Sequence, residues 1–285
     1  MTGIKHIAIM GAGQMGTGIA QVCALVNYSV QLIDISQDQL ARARQRIEKD
    51  LDRQVAKGTL SLPQKDQALS RLRFFERLQN PESIHLAIEA VSESLDMKVQ
   101  VLQNLDRLLQ DTALLASNTS SLSITRLAEA TQRPDRVIGM HFMNPAPLMP
   151  LVEIIRGAQT SDTTYACINA VARQLGKMPV LSKDTPGFIV NRLLMPLINE
   201  AIYAVYQEVA SPQDIDTAMK LGTNDPMGPL ERADFIGLDT CLSIMQVLHE
   251  GFGDDKYRPC PLLADYVAAG RLGKKTGFGF YEYKI

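Results

Sequence analysis

Short apolar runs alternate with amphipathic stretches through the first half of the chain. Ile4 to Met10 reads as a buried strand, Gln14 to Val26 as a helix, Ser29 to Asp34 as a second strand and Gln37 to Lys57 as a long polar helix. Further strand candidates are Leu72 to Phe75, Leu86 to Val91, Ala113 to Ala116, Val137 to Phe142, Leu151 to Ile155 and Pro179 to Leu181, with helices between most of them. Strands joined through helices build a mostly parallel sheet covered on both faces.

The pattern changes after Asp184-Thr185-Pro186-Gly187. Phe188 to Glu208, Pro212 to Leu221, Phe235 to His249 and Leu262 to Ala269 carry helical periodicity with no strand between them. The expected architecture is α/β: a Rossmann-type doubly wound sheet domain over 1–184, then an all-helical C-terminal domain over 185–285. Pro186 and Gly187 mark the boundary, with Asp184 or Thr185 positioned to cap the first helix beyond it.

Composition narrows the class. The chain has 285 residues, enough for one large or two ordinary domains, with 46% hydrophobic and 21% charged residues. A formal net charge of -2 argues against bulk binding to nucleic acid or an anionic membrane, while leaving a small anionic ligand open. Cys23, Cys167, Cys241 and Cys260 form no Cys-x-x-Cys pair, so reduced core thiols are expected rather than disulfides or a metal site, and a cytoplasmic setting fits. No apolar run reaches the ~20 residues of a membrane span. The first strand opens at Ile4, so no targeting segment is expected before it, and the final Tyr283-Lys284-Ile285 is not a peroxisomal signal.

Gly11-Ala12-Gly13-Gln14-Met15-Gly16 follows the first strand and opens the first helix. Gly11 permits a tight turn, Gly13 lets backbone approach a pyrophosphate, and Gly16 allows helix to pack closely on strand. Asp34 ends the second strand about 20 residues on, where a carboxylate accepts from the ribose hydroxyls and repels a 2′-phosphate, so NAD is favoured over NADP. As a simple turn former Asp34 would explain the turn but not the spacing.

His141 and Glu153 flank a loop holding Asn144, Pro145, Pro147 and Pro150. If the segments on both sides are strands, the loop folds Glu153 back beside the imidazole, fixing its tautomer and stabilising its protonated form. Taken alone, the pair also suits a satisfied core histidine beside a chance carboxylate; the dinucleotide signature turns the reading towards a general acid/base. Ser117-Asn118-Thr119-Ser120-Ser121 falls at a strand's carboxyl end, where open α/β sheets bind ligands. Ser121 or Ser123 reads as a helix cap before Ile124; Ser120 stays open between capping and holding a substrate hydroxyl.

Taken together, Gly-Ala-Gly-Gln-Met-Gly, Ser-Asn-Thr-Ser-Ser, His-Phe-Met-Asn-Pro-Ala-Pro, Leu-Val-Glu-Ile-Ile, Asp-Thr-Pro-Gly-Phe-Ile-Val-Asn-Arg and Gly-Arg-Leu-Gly-Lys-Lys-Thr-Gly-Phe-Gly-Phe-Tyr resemble the 3-hydroxyacyl-CoA dehydrogenase family, in family order along essentially the whole chain. Its stand-alone length, Pro226-Met227-Gly228-Pro229 and Gly237-Leu238-Asp239 resemble most the bacterial 3-hydroxybutyryl-CoA dehydrogenases. The resemblance implies an NAD-binding domain followed by a helical domain that forms a homodimer and closes over an acyl-CoA substrate. It implies that His141 is the catalytic acid/base, Glu153 its orienting partner, and Ser120 and Asn191 contacts to the reacting oxygens and the histidine. Glu93, Lys98, Asn118 and Asn144 match family positions around the nicotinamide; by residue physics alone Glu93 is an ordinary helix-start acid and Lys98 a solvated lysine.

One departure concerns the CoA site. In better-known members a serine in the long second helix helps bind CoA where this chain aligns Asp50, while Lys57 matches the basic position further along. Arg42, Arg44, Arg46, Lys49, Arg53 and Lys57 form a basic excess that suits either CoA phosphates or a solvated helix face.

The expected reaction is interconversion of a 3-hydroxyacyl-CoA, short-chain and of the (S) isomer by resemblance, with 3-ketoacyl-CoA by hydride transfer and a His-Glu acid/base pair. The alternatives are a superfamily dehydrogenase acting on an acyl-carrier-protein substrate or a sugar acid such as L-gulonate, and a non-catalytic NAD-binding structural or sensor protein. Acyl length, physiological direction and the pathway served, whether butyrate, polyester or fatty-acid metabolism, are not written in the residues.

Overall fold

In the computed structural model, which describes residues 3–284, the chain divides into two compact units, Met1–Thr185 and Pro186–Ile285. The first alternates β1 (His6–Met10), α1 (Gln14–Leu25), β2 (Ser29–Ile33), α2 (Gln37–Ala56), α3 (Leu62–Arg71), β3 (Leu72–Phe75), β4 (Leu86–Glu89), α4 (Leu95–Leu108), β5 (Leu114–Ser117), α5 (Ile124–Glu129), β6 (Val137–Phe142), β7 (Leu151–Arg156), α6 (Asp162–Gln174) and β8 (Met178–Lys183). The strands form one sheet in the order β3-β2-β1-β4-β5-β6-β7-β8. Pairing is parallel except between β6 and β7.

The order reverses between β1 and β4, the crevice where doubly wound sheets bind ligands. Ile7, Ile9, Leu32, Leu86 and Ile88 are 0% exposed, as parallel strands covered on both faces require. Gly139 in β6 answers to packing: a Cβ there would stand 2.8 Å from Ile155 Cβ and 2.9 Å from Ile124 Cδ1.

The second unit contains α7 (Val190–Tyr206), α8 (Pro212–Thr223), α9 (Pro229–Ile236), α10 (Leu238–Phe252) and α11 (Pro261–Ala268) around a core that includes Met195, Ile198, Ile202, Leu230 and Leu248. Two expectations need correction. The apolar run from Phe235 to His249 is not one helix, because Gly237 at φ 104° separates α9 from α10. Asp184 does not cap the first helix of this unit: α7 has Ile189 at its N-cap position and no side-chain cap. Instead Asp184 accepts from Ser123 Oγ (2.7 Å), Ile124 N (3.0 Å) and Thr125 N (2.8 Å) at the start of α5. Helix N-termini attract the carboxylate nearest in space, and the fold brings α5 to the end of β8.

None of the four cysteines forms a disulfide, and all but Cys167 are buried. No helix among the described residues is long and apolar enough to cross a membrane.

Candidate active site

The glycine turn after β1 is built by close approach. Gly11 lies at φ 104°, and a Cβ there would come 2.6 Å from Ala90 O; one at Gly16 would come 1.8 Å from Gly11 O. At Gly13 no atom lies within 4 Å of a Cβ position, so backbone is open to a ligand. Helix α1 begins there with no side-chain cap and no acid in its first turn, leaving N–H groups that suit a pyrophosphate. Met15 packs against the core, and Gln14 Nε2 donates to Asn144 Oδ1 at 2.7 Å.

Asp34 stands at the carboxyl end of β2 with its orientation fixed: Oδ2 accepts from Ala12 N at 2.8 Å and Oδ1 from Ser36 N at 2.9 Å. An uncapped helix start, open backbone at Gly13 and a carboxylate tied to the turn are the parts a dinucleotide needs, so the residues present fit NAD.

Beside this turn runs a charged network that residue patterns only half revealed. Glu89, at the end of β4, is 0% exposed, and Lys98 is 1% exposed rather than solvated. Lys98 Nζ lies 2.8 Å from Glu89 Oε1 and 3.2 Å from Glu93 Oε2. Glu89 also accepts from Val91 N (2.7 Å) and Ser117 Oγ (2.6 Å). The Glu93 side chain, 36% exposed, gathers Thr119 Oγ1, Ser120 N and Oγ, and Ser121 N and Oγ around Oε1 at 2.5 to 3.1 Å. Burial pushes the Glu93 carboxyl up, but the Lys98 charge and the donors from Thr119, Ser120 and Ser121 outweigh it and hold its pKa below the usual value. Ser123 caps α5 through Arg126 N. The hydroxyl-rich segment is therefore held by Glu93 near its start and by Asp184 near its end. Glu89 is absent from the sequence expectations, although a lone acid inside the apolar run from Leu86 to Val91 is its signal.

The antiparallel pairing of β6 and β7 sets His141 opposite Glu153, and Nδ1 lies 2.7 Å from Glu153 Oε2. Both are buried, at 7% and 1% exposure. Asn118 Oδ1 accepts from Phe142 N at 2.9 Å, tying the end of β5 to the residue after His141. Between the two strands, Lys177 Nζ donates to Ala146 O (2.6 Å) and Met149 O (2.8 Å), holding the proline-rich loop. Asn191 is buried in the first turn of α7, in the second unit.

A groove of about 710 Å³ lies between α1, α2 and the Pro145–Leu148 loop. Gly18 lets that loop sit on α1, since a Cβ would come 3.0 Å from Pro147 Cδ. Of the basic residues of α2, Arg46, Lys49 and Arg53 line the groove, and Lys57 just beyond it does too. Arg44 turns elsewhere, over the Phe74 ring. Asp50 is also on the groove wall, 3.5 Å from Arg53. A second pocket, of about 300 Å³ in the helical unit, includes Asp216 and Tyr281, whose groups bond one another at 2.8 Å.

Comparison with known proteins agrees with this geometry. Residues 6–185 match the model of the 3-hydroxyacyl-CoA dehydrogenase NAD binding domain, and residues 187–283 match that of the 3-hydroxyacyl-CoA dehydrogenase C-terminal domain. A 3-hydroxybutyryl-CoA dehydrogenase of Bradyrhizobium diazoefficiens is 53% identical over 281 residues, covering 99% of this chain and 96% of that protein. The human mitochondrial hydroxyacyl-coenzyme A dehydrogenase is 44% identical over 289 residues, covering 99% of this chain and 92% of that protein. The crystal structure of (S)-3-hydroxybutyryl-CoA dehydrogenase from Ralstonia eutropha superposes with a TM-score of 0.96 at 48% identity, covering 99% of this chain and 100% of that one. With the two domain models together matching nearly all of its residues, the chain belongs to the 3-hydroxyacyl-CoA dehydrogenase family.

Proposed function

We propose that this protein interconverts (S)-3-hydroxybutyryl-CoA and acetoacetyl-CoA with NAD as the redox partner. The observation that carries the reading is the buried His141–Glu153 pair at 2.7 Å, joined through β6 and β5 to the crevice of the glycine turn. In oxidation, neutral His141 takes the 3-hydroxyl proton on Nε2, because Nδ1 faces Glu153. Glu153 stays ionised and stabilises the imidazolium; in reduction the protonated ring returns the proton. NAD, when bound, accepts or supplies the hydride. Ser120 Oγ, donating to Glu93 at 3.1 Å, meets a substrate hydroxyl as an acceptor.

Arg46, Lys49, Arg53 and Lys57 take the CoA phosphates, the groove supplying the cationic wall that a polyanion needs. The second unit forms a homodimer: Leu193 and Leu197 on one face of α7 remain 68% and 38% exposed. Four cysteines outside any disulfide suit a reducing cytoplasm.

The test is NADH oxidation against 3-ketoacyl-CoA esters of increasing chain length. Highest kcat/KM with acetoacetyl-CoA is expected. Preference for a sugar acid, or tight NADH binding with no turnover of any ester, overturns the reading.

A further inference from the structure

Among the described residues, two buried side-chain nitrogens lack a hydrogen-bond partner: Gln21 Nε2 and Arg271 Nε. Arg271 has compensation. Its guanidinium lies 3.6 Å from the Tyr266 ring centroid and 4.2 Å from that of Phe278, where aromatic faces attract a cation. Gln21 has none. It is 1% exposed on α1, where an unsatisfied donor weakens the fold. Its neighbour Thr17 is already satisfied, with Oγ1 donating to Ala12 O at 3.0 Å.

Gln21 also lines the groove from α1, while Arg46, Lys49, Arg53 and Lys57 line it from α2 and its C-cap. The two walls differ in chemistry. The α2 side is cationic, whereas the α1 side offers Gln14, Thr17, Gly18 and Gln21, none of them charged. Coenzyme A is divided in the same way: phosphates at one end, and a neutral pantetheine arm with two secondary amides leading to the thioester.

We propose that Gln21 is a substrate-recognition residue, whose side-chain N–H donates to an amide carbonyl of the pantetheine arm. This rests on the acyl-CoA reading of the groove. A buried donor that finds its acceptor only in the correct ligand discriminates against analogues lacking that group, because they leave it unsatisfied.

The test compares wild type with Gln21→Met, which keeps length and removes the donor, on acetoacetyl-CoA and on S-ethyl acetothioacetate, a thioester without an amide. The ratio of kcat/KM for acetoacetyl-CoA over the ethyl thioester is expected to fall about tenfold, carried by KM, while the melting temperature does not fall. Gln21→Leu repeats the comparison should the methionine variant fail to fold. Independently of any variant, wild type should prefer the acetoacetyl thioester of N-acetylcysteamine, which restores one amide, over the ethyl thioester. An unchanged ratio in the folded variant, or a loss carried by kcat, overturns the assignment of Gln21. Absence of wild-type turnover with acetoacetyl-CoA overturns the groove reading instead.

Discussion

His141 and Glu153 are cross-strand neighbours in an antiparallel pair, so the backbone register itself sets imidazole against carboxylate, 2.7 Å apart. His141→Ala should lower turnover by ~10² to 10⁴, the usual scale for a lost general acid/base, while NADH affinity measured by fluorescence changes little. Glu153→Gln keeps an acceptor near Nδ1 but removes the charge, so a smaller fall in both directions is expected from steady-state rates. Near-normal turnover in His141→Ala would remove it from the mechanism.

Asp34 should set cofactor choice. Its carboxylate is tied to Ala12 N and Ser36 N at the end of β2, so a 2′-phosphate there would face a fixed negative charge. Wild type should favour NADH over NADPH in kcat/KM, and Asp34→Ser should narrow that preference. A wild-type preference for NADPH contradicts the placement.

The Lys98–Glu89 pair should be felt in stability. Lys98→Met leaves a carboxylate with 0% exposure facing no ammonium, a change that costs about 3–5 kcal/mol in comparable buried pairs. Urea unfolding of Lys98→Met and of Lys98→Met with Glu89→Gln measures it; the double variant should recover much of the loss. Equal destabilisation of the two would mean the charge pairing is not the cause.

Glu93 should give that stability an acid limb. Its folded pKa lies below the ordinary 4.5, so its contribution is fully present above 4.5 and is lost as pH falls through 4.5 towards the folded value. The stability difference between wild type and Glu93→Gln should therefore be flat at neutral pH and shrink below 4.5. A difference that grows on acidification contradicts the direction of the shift.

Much of the fold was legible because parallel strands buried on both faces leave unbroken apolar runs, and because the glycine turn combines three steric demands at fixed spacing. The His–Glu pair was legible through its hairpin. Asp184 was not: sequence proximity pointed to the next helix, whereas its partners at residues 123–125 lie some 60 positions earlier. Lys98 read as solvated because only the fold sets Glu89 beneath it. Gly237 did carry the signal that breaks the apolar run into α9 and α10, but helical periodicity on both sides masked it.

Two carboxylates from distant parts of the chain, Glu93 and Asp184, grip the hydroxyl-bearing segment that follows β5. Fixing a residue's backbone costs roughly 1–2 kcal/mol of conformational entropy, and here the protein's own carboxylates hold the segment. On the proposed mechanism a substrate meeting Ser120 enters a preorganised site, and its binding free energy is left to align the reacting carbon with His141.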